Sequence, residues 1–363
     1  MTENNEMGQA PVVDDLSAWI IAGKVTAETA RAGLRDAADA ERLGFRRVFL
    51  SERYSVKEAG SVLGGVGALT SRIDYGTGVI AVQSRHPLMT AALGATQHAC
   101  YGPRFILGLG RSEPGWFASA GQFTYQAIVD HATIVKRLWA GELVTYDGPA
   151  GTLEDVRLGD LPDGPPPKVY IGIGGKPLGS KAAANPCFDG VLLYPMITPE
   201  ATKRAVDNLH EACERTDRDP ASLHIVQPVV TAPDLPEDET RALANARMVT
   251  YVTWPNGQIM MELNGWDTTV ADRIKAHPMF LNMPDREADL SFSREQLMEP
   301  AKLIPDHWID DCSAIGSVEK CVAKLQDYRD AGADEIATYG SSPSQNAGLI
   351  AAWRKHTAAR AGA

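Results

Sequence analysis

The chain is poor in the features that would assign it quickly. Its five cysteines, Cys100, Cys187, Cys213, Cys312 and Cys321, form no CxxC pair and no Cys/His spacing suited to a metal. Their odd number argues against a disulfide framework, so a reduced, cytoplasmic setting is expected and no metal is. No apolar run approaches the length of a membrane span. The opening, Met1 to Gln9, has neither the basic nor the apolar region of a signal peptide. Lysines and arginines are scattered, and with a net charge of -11 and a pI near 5.3 a nucleic-acid or anionic-membrane partner is disfavoured. A Ser-His-Asp or Cys-His nucleophile pattern is also missing.

Nucleotide fingerprints fail in an informative way. Gly108-Leu-Gly-Arg-Ser-Glu113 reads GxGxxE and lacks the third glycine of a dinucleotide fold. Gly172-Ile-Gly-Gly-Lys-Pro177 has proline where that glycine belongs, and Gly174 to Lys181 spells GxxxxGSK, inverting the order of a phosphate-binding P-loop. Two glycine-rich strand ends therefore need another explanation.

What the chain does have is length and rhythm. Its 363 residues, 44% hydrophobic and 22% charged, suffice for a full (β/α) barrel or two ordinary domains. A unit recurs: a helical apolar stripe, a glycine, a short apolar strand, a polar tip. Strands are expected at 16–22, 48–50, 73–82, 104–110, 169–175, 189–194, 223–231 and 335–339, each mostly apolar without strict alternation and each joined to the next by a helix. That is the pattern of a parallel sheet covered by helices. About eight such strands in series predict an α/β fold, a single (β/α)8 TIM-like barrel over residues 1–363. A proline-rich loop or hairpin excursion is expected over 141–168 and a helical, strandless insertion over about 253–304. An open doubly wound sheet is the rival architecture.

In a barrel all strand tips share one mouth, which makes the tips candidates. Ser51-Glu-Arg-Tyr54 sets opposite charges at a strand end, although such pairs are commonly surface ion pairs. Arg85-His-Pro87 reads as a helix start, and Glu113 as an acid near a helix N-terminus. Gly174-Gly175 can offer free N–H groups to a phosphate, or simply make a tight turn.

Taken together, Ala40-Glu-Arg-Leu-Gly-Phe-Arg-Arg-Val-Phe-Leu-Ser-Glu-Arg53, Gly76-Thr-Gly-Val79, Arg85-His-Pro87 and Phe105-Ile-Leu-Gly-Leu-Gly-Arg111 resemble the bacterial luciferase-like superfamily, in particular its actinobacterial branch using coenzyme F420, an 8-hydroxy-5-deazaflavin. Gly316-Ser-Val-Glu-Lys-Cys-Val322 and Ala331-Gly-Ala-Asp-Glu-Ile336 resemble that family's last helix and strand. The resemblance weakens over 141–168 and 234–310. It implies a TIM-like barrel with a non-proline cis peptide at Gly78-Val79 beneath the deazaflavin. It further implies that Gly110, Arg111 and Ser112 hold the ring, that Gly172, Ile173, Gly174 and Gly175 hold the phosphate tail, and that Glu52 lies near the cofactor. Glu113 matches the active-site glutamate of the F420-dependent sugar-phosphate dehydrogenases, whereas Arg53 stands where they have histidine.

The implied reaction is hydride transfer at C5 of the deazaflavin to or from a small organic substrate, an alcohol, a carbonyl compound or an activated double bond. Glu113 is then the expected proton donor or acceptor, Arg53 an electrostatic clamp, and His86 a further candidate. Trp254 and Trp266 are expected either to roof a largely apolar pocket or to pack structurally. An FMN-dependent monooxygenase and a non-catalytic flavin-binding relative are the alternatives. The resemblance also implies a homodimer.

Overall fold

A computed structural model describes residues 10–21, 27–53, 55–111, 123–254, 257–283 and 287–362, without the side chains of 27–30 and 361. Eight parallel strands form its centre: β1 (Leu16–Trp19), β2 (Arg47–Leu50), β3 (Asp74–Thr77), β4 (Phe105–Gly110), β5 (Lys168–Ile173), β6 (Gly190–Leu193), β7 (His224–Pro233) and β8 (Glu335–Tyr339). Each pairs with the next, and β8 returns to β1 through Leu16↔Ile336, so the sheet closes into a barrel and the open-sheet alternative is excluded.

The expected helices lie between these strands: α1 (Ala27–Leu43), α2 (Ala59–Leu69), α3 (Pro87–Tyr101), α4 (Tyr125–Trp139), α5 (Pro177–Ala183), α6 (Pro199–Glu214) and α7 (Glu237–Thr253). Local chemistry starts them. Glu58 accepts from the N–H groups of Gly60 and Ser61 ahead of α2, and the Thr124 and Thr198 hydroxyls accept from Ala127 and Ala201 at the starts of α4 and α6. Gly44 ends α1 at φ +87°, where a Cβ would lie 2.2 Å from the Pro11 carbonyl oxygen.

Strand alternation sorts the core into two clusters. Leu16, Ala18, Val48, Leu50, Leu107, Leu109, Val169 and Ile171 face outward into the helices. Trp19, Phe49, Ile106, Tyr170, Leu192, Val226, Ala337 and Tyr339 share a second cluster inside the barrel, continuous with the helices that follow β7. The N-terminal end of the barrel is plugged by polar groups. Buried Glu335 bonds Ser17, pairs with Arg47 at 3.1 Å and with His224 at 2.9 Å, while Arg47 donates to the Tyr170 hydroxyl at 2.9 Å.

Two departures from the simple repeat occur. Val144–Gly148 and Gly151–Val156 make an antiparallel hairpin between α4 and β5. Between β7 and β8 the chain runs through α7, then α8 (Gly257–Asn264) and several short helices to Cys312. It adds the strand Ser313–Gly316 on β7, then the helix Val318–Asp330, before entering the barrel again.

Candidate functional site

The barrel mouth is hollow on one side because glycine occupies inward positions on three adjacent strands. Register sets Gly76 beside Phe49 and Ile106, Gly108 beside Tyr170, and Gly172 beside Leu192. Paired residues share a face and side chains alternate, so Gly110 and Gly174 also face inward. Across the mouth, the corresponding positions carry Trp19 at the end of β1, Tyr339 at the end of β8 and Tyr194 just past β6. Between the bare main chain and the aromatic wall lies a cavity of about 400 Å³. That is within the range of small-molecule sites.

The bulge after β3 shapes the cavity floor. The Gly78-Val79 peptide is cis, at the position implied by the family resemblance, and the strand resumes at Ile80–Ala81 beside β4. Gly78 N–H donates to the Leu50 carbonyl at 2.8 Å. The Ser51 hydroxyl donates to the Gly78 carbonyl at 2.8 Å and accepts from Trp19 Nε1 at 3.0 Å. A Cβ on Gly78 would come within 2.3 Å of the Trp19 ring, and one on Gly110 within 2.5 Å of Val79 Cγ2. Val79 thus fills the space vacated at Gly110 and Gly172, giving a flat apolar platform between glycines.

Cations stand at one edge. The Arg111 guanidinium lies 5.1 Å from the Tyr125 ring centroid. Lys176 pairs with Glu262 of α8 and thereby holds that carboxyl below its ordinary value. At the aromatic wall, Tyr251 in the last turn of α7 meets Tyr339, hydroxyl to hydroxyl, at 3.1 Å, and its ring contacts Tyr194 with centroids 5.7 Å apart. Burial, reinforced by Tyr339, raises the Tyr251 phenol well above its ordinary value. Trp254 and Ile259 complete the lining from the segment after α7.

Of the residues expected from sequence, Gly78, Val79, Gly110, Arg111, Gly172, Ile173 and Gly174 meet around this cavity. Gly175 does not line it. That residue turns under α6 at φ +79°, its virtual Cβ 2.2 Å from the Ala205 Cβ, and its carbonyl accepts from Asn208. Glu52 also stands outside the lining, accepting from Arg85 at 2.9 Å and from Ala59 N–H at 3.2 Å, so it anchors the start of α2. The Arg53 guanidinium is engaged by Asp289 at 2.9 Å through both terminal nitrogens and by Glu287. It faces a smaller side cavity of about 40 Å³ rather than the main one. His86 is exposed, its Nδ1 accepting from Leu88 N–H as the cap of α3. Ser112 and Glu113 lie outside the described residues.

Trp254 lines the cavity, whereas Trp266 stacks on Trp308 at 4.5 Å, so the two tryptophans divide between the two expectations. Sequence reasoning missed Trp19, Tyr125, Lys176, Tyr194, Tyr251 and Tyr339. A signal existed for three of them: each is the last residue of a barrel strand or the first beyond it.

The model of the luciferase-like monooxygenase family matches residues 14–335. A curated F420-dependent glucose-6-phosphate dehydrogenase of Microbacterium testaceum (strain StLB037) is 34% identical over 153 residues, which cover 38% of this chain and 45% of that protein. The chain thus matches under half the length of that relative. A 5,10-methylenetetrahydromethanopterin reductase of Methanolobus tindarius is 24% identical over 310 residues, covering 82% of this chain and 86% of the relative. Among solved structures, the coenzyme F420-dependent tetrahydromethanopterin reductase of Methanopyrus kandleri superposes with a TM-score of 0.74 at 20% identity, covering 94% and 97% of the two chains.

Proposed function

Because the chain belongs to the luciferase-like monooxygenase family, we propose that it is a coenzyme F420-dependent oxidoreductase acting on a small, largely apolar organic molecule. The observation that carries this reading is the slot itself: inward glycines on β3, β4 and β5, floored by Val79 and faced by Trp19 and Tyr339. Backbone without side chains can approach a planar tricyclic ring closely, and the cavity volume suits one such ring with a small partner. The activities of these relatives support the choice of cofactor.

When bound, the deazaflavin supplies a hydride donor or acceptor at C5. The chain's own residues bind and orient it. Val79 and the glycine main chain set the plane of the ring, and Arg111 and Lys176 supply positive charge for the phosphate of the tail. Trp254, Ile259, Leu178 and Leu192 close the cavity with apolar surface and limit water near the reacting atoms. In this reading the segment after α7 is a lid over the mouth. The protein is also proposed to be cytoplasmic and a homodimer, the second reading supported by the exposed Leu69 and Met89 on α2 and α3. Among the described residues no helix is long and apolar enough to cross a membrane.

Titration of the purified protein with F420 and, separately, with FMN, followed by ligand fluorescence, tests the proposal. Saturable F420 binding tighter than that of FMN is expected. Tighter FMN binding would transfer the site to monooxygenase chemistry.

A further inference from the structure

We infer that the hydroxyls of Tyr251 and Tyr339 hold the substrate's oxygen, so that the substrate is a carbonyl compound or the corresponding alcohol rather than a molecule reduced only at carbon–carbon bonds. This deepens the hydride-transfer reading and rests on it.

The first argument is placement. Both phenols line the main cavity on the wall across from the glycine strands, so a molecule lying between ring and wall presents its outer edge to them. The second is hydrogen-bond arithmetic. Two tyrosines carry two O–H groups, and their 3.1 Å mutual bond uses one of them as donor. No other hydrogen bond is made by either hydroxyl among the described residues, which leaves one proton to donate. Ser51, the neighbouring hydroxyl, is already engaged, donating to the Gly78 carbonyl and accepting from Trp19.

The third is a route for protons. Tyr339 also lines the smaller cavity of about 40 Å³, together with Arg53, Lys57 and Arg247. That space is large enough to admit a water molecule, since about 10–15 Å³ of probe-occupied volume is enough for one. The Arg247 guanidinium lies 5.2 Å from the Tyr339 ring centroid and places positive charge beside the pair. In the reducing direction the carbonyl carbon would gain a hydride, with its two electrons, from the reduced cofactor when bound, and the C=O π pair would move onto oxygen. The oxygen takes a proton from the pair, which regains one through Tyr339 from water in the side cavity. Alcohol oxidation moves the same atoms in reverse.

The test uses acetophenone labelled with ¹³C at its carbonyl, bound to the F420-loaded protein and followed by infrared difference spectroscopy. The carbonyl band is expected at lower wavenumber than in an alkane solvent, and to move back toward the alkane position in Tyr251→Phe and Tyr339→Phe. The Kd for acetophenone should rise roughly 3- to 10-fold in the variant carrying both substitutions, the range of one lost hydrogen bond. α-Methylstyrene, which has the same shape without the oxygen, should bind more weakly and be indifferent to both substitutions. Unchanged F420 titration curves show that the variants are folded. Absence of acetophenone binding, an unshifted band, or a shift that survives both substitutions overturns the assignment. A protein that does not bind F420 refutes the cofactor reading instead, and the ketone measurement on that same protein still decides the role of the tyrosines.

Discussion

At the residue scale, the site depends on side chains that are missing. Gly110 has Val79 Cγ2 only 2.5 Å from where a Cβ would stand, so Gly110→Ala must push Val79 out of the platform. Overpacking of this kind costs about 1–3 kcal/mol. A lower urea midpoint is expected, together with F420 binding weakened about tenfold, the equivalent of 1.4 kcal/mol. Glu335 is the opposite case, a charge buried with partners. Burial alone would raise its carboxyl, but Arg47, and then His224 and Ser17, outweigh that and hold it below the ordinary 4.5. A depressed carboxylate stabilises the fold above its unfolded value and loses that contribution as pH falls through the folded value. Stability is therefore expected to fall below about pH 4.5, more steeply in the wild type than in Glu335→Gln. That variant, which leaves Arg47 without its buried partner, is expected to cost about 3–5 kcal/mol at pH 7. Urea titrations at pH 7 and at stepwise lower pH check both statements. The glycines at 108, 110, 172 and 174 were legible because a glycine cluster ending an apolar run stands out. Trp19 and Tyr339 were marked only as strand ends and Tyr251 not at all, because which residues face one another across a barrel is fixed by closure and register, which no local pattern encodes.

At the element scale, the chain between β7 and β8 is tied to the tip of β2 by charge. Asp289 accepts from Arg53 at 2.9 Å and from Arg247 at 3.1 Å, and the carboxyl stays below its ordinary value despite burial because of these two cations. Asp289→Asn leaves two part-buried guanidinium groups short of a counter-charge. It should cost about 3 kcal/mol, read as a lower denaturation midpoint, and should expose the chain beyond α7 to faster limited proteolysis. Arg53 thus acts in the structure as an anchor for that segment, a role invisible in Ser51-Glu-Arg-Tyr54 because its partners lie more than two hundred residues away. The helix, glycine, strand rhythm gave the barrel elements closely. Two elements escaped it for physical reasons. Ser313–Gly316 is only four residues long and pairs on one side with β7. The helix Ala347–Ala361 concentrates its buried apolar residues, Leu349, Ile350 and Trp353, in its first half, so no continuous stripe announces it.

At the scale of the whole molecule, closure turns scattered strand ends into one mouth. The chain's sequence order of strands is also their order around the barrel, which brings Trp19 of β1 beside Tyr339 of β8 although 320 positions separate them. The proposed homodimer makes its own prediction. Replacing Leu69 and Met89 together by glutamate should convert a dimer to a monomer in light scattering without unfolding the chain, since both side chains are exposed on the helix surfaces of the single chain. Ligand linkage adds another: F420 at 100 times its Kd should stabilise the protein by about 2.7 kcal/mol.

The most direct measurement is a crystal structure of the F420 complex. The deazaflavin is predicted to lie on Val79 between Gly110 and Gly172, with Tyr251 and Tyr339 across the cavity from its reacting face. A ring bound anywhere other than this slot, or a slot filled by protein side chains while F420 binds elsewhere, would contradict the account.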